Sequence, residues 1–233
     1  MTAELRADCS QCFGLCCVVP SFSASADFAI DKAAGTPCPN LLADSRCGIH
    51  AELAQRGFRG CTVYDCFGAG QQVSQVTFGG QDWRQHPATA QQLFETFGIV
   101  RQLHELLWYL ADALAHKAAQ PIHHELRHAQ EQTGRLRGLG AEALQELDIA
   151  GHWQAVDGLL LRTSELVRAD APGPRLNRRG ADLIGADLRG AELAGTQLAG
   201  SIFLTQFQVN AANGDHATRL PATLDRPEHW RVG

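Results

Sequence analysis

Between residues 87 and 117 the apolar side chains Leu93, Phe94, Phe97, Val100, Leu103, Leu107, Leu110 and Leu114 recur at steps of three and four. That spacing lines one broad face of an α-helix. Pro87 suits its first turn, where a missing N–H costs nothing, and Pro121 ends the pattern. A weaker helical stretch is expected over 122–136, punctuated afterwards by Gly138 and Gly140. Two more are expected over 141–149 and 152–167, with Leu144, Leu147, Trp153, Val156, Leu160 and Val167 facing inward. Residues 87–168 thus read as a small antiparallel helical bundle or set of hairpins. Residues 1–86 contrast with this. They are rich in Cys, Gly, Pro and Ser, carry few periodic stretches, and hold too few apolar side chains to organise their own loops.

The period changes after Asp170-Ala171-Pro172-Gly173-Pro174, which breaks helix and reads as a linker. Ala181-Asp182-Leu183-Ile184-Gly185 is followed by Ala186-Asp187-Leu188-Arg189-Gly190 and Ala191-Glu192-Leu193-Ala194-Gly195, then by Thr196-Gln197-Leu198-Ala199-Gly200 and Ser201-Ile202-Phe203. A small residue and, two places on, a large apolar one keep step throughout. A period of five matches neither helix nor open strand and demands a stacked coil with both side chains turned inward. Residues 176–207 resemble the pentapeptide-repeat family, whose members form a right-handed quadrilateral β-helix. The resemblance implies little more than one coil here. DNA-mimicking members that protect gyrase use a longer acidic rod, so a short cap packed on helices is the reading adopted. In the tail, Trp230 is expected to dock into a groove.

Cysteine sharpens the picture of the amino-terminal third. The chain of 233 residues has eight, at positions 9, 12, 16, 17, 38, 47, 61 and 66, and none beyond. The amino end has no segment resembling a secretory signal, so the expected compartment is the reducing cytoplasm, where such clusters bind metal or react rather than form disulfides. The two-residue gap between Cys9 and Cys12 lets both sulfurs reach one ion. Cys16 and Cys17 leave the backbone in different directions and suit two metals, or a metal and a bridge. With Cys38-Pro39, Cys47-Gly48-Ile49-His50, Cys61 and Cys66, the series resembles the family named for its C-x2-C-x3-C-C signature, described as zinc- or iron-chelating. The match spans residues 9–66. The loop 54–60 departs from the family's usual Arg-Pro segment, which weakens the assignment of Cys61. The resemblance implies a metal but no reaction.

Eight thiols suit two four-cysteine sites or a polynuclear cluster with bridging thiolates. Zinc is the first expectation and an iron–sulfur cluster the alternative. Excess thiolate charge would need nearby donors, for which Arg46, Arg56, Arg59 and the N–H groups of Gly14, Gly48 and Gly60 stand close in sequence. His50 and Asp65 are further candidates for ligands or for groups hydrogen-bonded to the ligands. Gly68 and Gly70 read as a turn bringing backbone up to the metal, after a short strand. His124 and His128 lack the His-Glu-x-x-His pattern and read as a solvated helix face; His104 reads as a boundary residue. Asp82-Trp83-Arg84 reads as a turn anchored by a buried indole.

A net charge of -5 and a pI near 6.0 give no basic footprint for nucleic acid, and no apolar run approaches a membrane span. No catalytic motif is found. The expected class is α+β in three parts: a cysteine module (1–86), a helical region (87–168) and a pentapeptide-repeat coil with its tail (175–233). The expected role is metal-dependent assembly, sensing or adaptor work with a protein partner. The alternatives are a redox-active iron–sulfur protein or enzyme, and a repeat-based interaction protein with a structural metal.

Overall fold

A computed structural model describes residues 3–170 and 181–230. Its helices are α1 (Leu15–Val18), α2 (Arg59–Thr62), α3 (Ala69–Gln71), α4 (Ala90–Ala115), α5 (His123–Arg137), α6 (Ala141–Gln145), α7 (Ile149–Asp170) and α8 (Gln206–Ala211). Short 3-10 turns and a π-helical stretch, Gln72–Thr77, lie between them, and the other described residues are turns and loops. The long helices fall where the apolar spacing places them. Pro87 opens a 3-10 turn, Pro87–Thr89, that leads into α4. The linker expected over 170–174 and the start of the repeat, 176–180, lie outside the described residues apart from Asp170.

The chain divides into two compact units. One comprises Thr2–Trp108 and Gln130–Trp153. Its core joins the buried stripe of α4 (Leu93, Phe97, Val100, Leu103) to Leu15 of α1, Ala69 of α3, Val73 of the π-turn and Leu144 of α6. Burial of these side chains is the main force available to hold such short helices, which are too short to persist alone.

The other unit is built chiefly from Tyr109–Ala129 and Gln154–Gly233. Within it Leu183, Leu188, Leu193 and Leu198 are all buried, one per five residues, so the large apolar position of each repeat turns inward as the period requires. The Tyr109 ring meets Phe203 edge-on at 5.8 Å, and the Asp112 carboxylate accepts the Phe203 N–H at 2.7 Å. These contacts hold the end of the repeat on a helical segment. Helix α8 carries a capping box, Thr205 with Gln208, whose amide reaches on to the carbonyls of Leu183 and Ala186. Trp230 is buried and donates its indole N–H to Ala212 O at 2.8 Å.

The α+β class with a terminal right-handed quadrilateral β-helix is corrected by the structure. Among the described residues there is no strand and no sheet, and about 51% of them are helical. The repeat makes only isolated parallel bridges, Asp182 to Ile202, Glu192 to Asn213 and Gln197 to Arg219. The reason lies in its turns. Each leucine carbonyl accepts from the N–H three residues on (Leu183 from Ala186, Leu188 from Ala191, Leu193 from Thr196, Leu198 from Ser201), and Gly185, Gly190 and Gly195 take positive φ within the first three of them. Turns consume most of each repeat and leave too few consecutive residues to make a ladder. No helix among the described residues is long and apolar enough to cross a membrane.

Candidate metal centre

The first cysteine loop is held by side chains far along the chain. Asp8 caps the turn Cys9–Gln11, accepting from the Ser10 N–H at 2.9 Å. Gln71 accepts from the Asp8 N–H at 3.0 Å and donates to Arg6 O at 2.7 Å. Gln75 donates to Gln11 O at 2.9 Å, and the buried Ser74 hydroxyl accepts from the Phe13 N–H at 3.1 Å. Trp83 donates its indole N–H to Phe13 O at 2.9 Å and so anchors its turn, with the ring half-buried rather than buried as expected. Together these bonds fix Cys9 and Cys12 beside the segment that starts at Cys66.

In α1, Leu15 and Val18 are fully buried. One helical turn separates them, so the adjacent Cys16 and Cys17 are left on the other side, with sulfurs 4.0 Å apart. Cys9, Cys12, Cys16 and Cys66 line one small cavity of about 20 Å³, closed by Gly70 and Phe97 among others. That is room for about one water or one ion. Gly70 keeps it open, because a Cβ there would lie 2.6 Å from Cys12 Sγ and 4.0 Å from Cys66 Sγ. Gly70, in α3, brings the backbone close to Cys12 and Cys66, and the residues before it form no strand.

Of the remaining thiols, Cys17 lies in α1 and Cys61 in α2, while Cys38 and Cys47 sit in the loops between them. The Cys38 N–H donates to Cys17 O at 2.9 Å, and Phe22 and Lys32 form an antiparallel bridge that folds the intervening loop back. Leu41 donates to Cys38 O and bridges Cys47, which brings Cys47 round to the same loop. The N–H before Cys61, that of Gly60, donates to Asp27 O at 3.0 Å, and Phe28 stacks on Phe22 at 4.3 Å. Cys17, Cys38 and Cys61 all lie within electrostatic reach of the Lys32 ammonium, and Cys47 within reach of Cys38.

All eight cysteines are free thiols. Burial pushes Cys12 and Cys61 up to about 11 and Cys66 up to about 12, and contact with Cys17 raises Cys16. These thiols are therefore neutral near pH 7. Among the described residues, no three His, Cys, Asp or Glu side chains converge as the ligands of an ion. Neutral thiols have no reason to gather on a common point, since it is the cation that stabilises the thiolates and draws them in. The donor set fits a thiophilic metal in composition, and four of its thiols border one cavity about the size of an ion.

The further candidates separate from this group. His50 is exposed at the start of a 3-10 turn, His50–Glu52. Asp65 folds onto its own loop, accepting from the Phe67 N–H at 2.6 Å, and burial raises its carboxyl to about 7. Arg56 is paired with Glu52 at 3.0 Å, and the N–H groups of Gly48 and Gly60 go to backbone carbonyls. His124 and His128 are exposed, as a solvated helix face requires. His104 is not a boundary residue. It is 1% exposed, with Nδ1 2.7 Å from Phe67 O. Sequence reasoning also passed over Gln71, Ser74, Gln75 and Lys32.

Residues 179–203 match the family described as "Pentapeptide repeats (8 copies)". That match reaches the repeat and not the cysteine segment. A protein of Bacillus subtilis (strain 168), named "Uncharacterized protein YybG", is 48% identical over 98% of this chain and 95% of its own length. No solved structure matches. Since the alignment to the Bacillus protein runs over nearly the whole chain, the chain belongs to the YybG family and carries a pentapeptide-repeat segment.

Proposed function

We propose that this chain is a cytoplasmic metal-binding protein whose amino-terminal thiols hold zinc, in a role of metal-dependent assembly, sensing or adaptor work. The observation that carries the reading is the cavity lined by Cys9, Cys12, Cys16 and Cys66 and kept open by Gly70. Cys17, Cys38, Cys47 and Cys61 form a second set of four. Zinc bound by four thiolates closes a tetrahedron and needs no open position, which suits a structural role. The resemblance to the C-x2-C-x3-C-C family points the same way. The repeat, with polar side chains such as Asp187, Arg189 and Glu192 exposed, would serve as the surface for a protein partner.

Metal analysis of protein purified in air without chelator tests this reading. About two equivalents of zinc per chain are expected, one for each four-thiol set. Less than about half an equivalent of any transition metal would refute it, and a brown preparation would replace zinc with an iron–sulfur cluster. Gly70→Ala offers a finer check. The added methyl must push Cys12 Sγ aside, so zinc at the first set should bind about tenfold to a hundredfold more weakly in chelator competition, a loss typical of disturbed ligand positioning. The second set should keep its affinity. Equal binding by Gly70→Ala and the parent would remove the cavity from the argument.

A further inference from the structure

Lys32 is 6% exposed, and its ammonium donates to three backbone carbonyls: Val18 at 2.8 Å, Thr36 at 2.9 Å and Ala33 at 3.1 Å. An ammonium has three N–H donors, so these bonds use all of them. Its charge also lies 5.4 Å from the centre of the Phe22 ring. Carbonyls and a ring solvate a cation only in part. Buried charges are normally paired, and among the described residues none of the ion pairs involves Lys32. Cysteines stand next to the stretches that supply two of those carbonyls. Val18 follows Cys17, Thr36 precedes Cys38 by two residues, and the Cys38 N–H to Cys17 O bond ties these two stretches together around the ammonium. Cys61 is the third thiol within electrostatic reach.

We infer that Lys32 is the built-in counter-ion of the second thiol set, Cys17, Cys38, Cys47 and Cys61, compensating the negative charge of a metal–tetrathiolate centre there. This rests on the metal-binding reading above and adds a division of labour within it. A divalent ion with four thiolates carries two surplus negative charges, and a buried centre of that kind needs a cation or donors close by. The first set includes the exposed Cys9 and Cys16. The second includes the buried Cys38, which has Lys32 within electrostatic reach. The three carbonyl bonds fix the ammonium before metal arrives. Its charge therefore favours the ionised thiols without a further loss of side-chain freedom.

Cobalt(II) titration of the full chain tests the inference, read by sulfur-to-cobalt charge-transfer absorption. The parent should take up two equivalents. Lys32→Met, close in volume but uncharged, should keep one at unchanged affinity and bind the other at least about tenfold more weakly, with a shifted charge-transfer band. Lys32→Arg should recover part of the loss. The retained equivalent also reports that the variant is folded. In the unaltered protein, the Lys32 ammonium resonance should move with one zinc equivalent and stay still with the other, a measurement that needs no variant. Two equivalents bound equally by Lys32→Met, or an ammonium resonance indifferent to both, would overturn the counter-ion assignment alone. A parent that binds no metal would overturn the underlying reading with it.

Discussion

Phe97→Ala is expected to destabilise the unit containing residues 2–108 and 130–153 by about 3–5 kcal/mol, the range for truncating a buried phenylalanine. Phe97 is 1% exposed and sits in the middle of the α4 stripe, among Leu93, Val100 and Leu103, with Leu15, Val73 and Leu144 opposite. Removing the ring deletes apolar contact with helices that have little else to hold them, and α1 has only four residues. The short elements cannot collapse far into the gap, because Ser74, Gln75 and Trp83 tether them through fixed hydrogen bonds. The cavity term should therefore be felt nearly in full. Urea unfolding followed by tryptophan fluorescence gives the number, Trp83 and Trp108 both lying in this unit. Phe97→Leu, which refills most of the space, should lose only about 1–2 kcal/mol. A loss under about 1 kcal/mol for the alanine variant would mean that α4 is not the organiser of this unit. Phe97 also lines the thiol cavity, so the same substitution couples core packing to the candidate site.

The legible parts of this fold were those that depend on neighbours in sequence. The stripe from Leu93 to Leu114 predicts α4 because side chains three and four apart share a face whatever lies opposite. The burial of Leu183, Leu188, Leu193 and Leu198 follows from their period in the same way. The strands expected there failed on another local rule: a turn closes after each leucine, and the five-residue spacing does not reveal how little chain the turns leave over. Long-range polar contacts were not legible at all. The bonds of Gln71, Ser74 and Gln75 to the first cysteine loop span more than sixty residues, and three common polar side chains carry no sign of such partners. Lys32 escaped for a related reason. Sequence proximity favoured Arg46, Arg56 and Arg59, all three exposed, of which Arg46 lies within electrostatic reach of Cys9; the lysine is buried because Phe22 and Lys32 pair and fold the loop inward. The cysteines themselves were legible as a set. That Cys9, Cys12, Cys16 and Cys66 border one cavity was not legible, because it depends on how distant segments fold together.

Acid is expected to weaken this same unit through His104. The imidazole Nδ1 faces the Phe67 carbonyl at 2.7 Å; a carbonyl only accepts, so Nδ1 carries the proton. Nε2 is buried and has no hydrogen-bond partner among the described residues. It can stay bare while the ring is neutral, but a second proton would leave a buried charged donor with nothing to bond. Burial accordingly lowers the His104 pKa from 6.5 to about 4; the Phe67 carbonyl opposes the shift, Arg137 adds to it, and Glu4, paired with Arg137 at 3.1 Å, offsets part of it. The unfolded chain thus binds a proton that the folded chain refuses between about pH 6.5 and pH 4. Stability is highest above the unfolded value and falls as pH drops through that window, by about 3 kcal/mol in all. His104→Asn retains an N–H donor for Phe67 and removes the titration. It should be less stable than the parent at pH 7, because it leaves a cavity, but should lose about 2–3 kcal/mol less between pH 7 and pH 4. Urea midpoints of the two proteins at both pH values isolate the histidine, since carboxylates and any bound metal are common to both. Parallel pH profiles for the parent and His104→Asn would show that the ring accepts its second proton without penalty, and that the packing around Nε2 is not what holds it neutral.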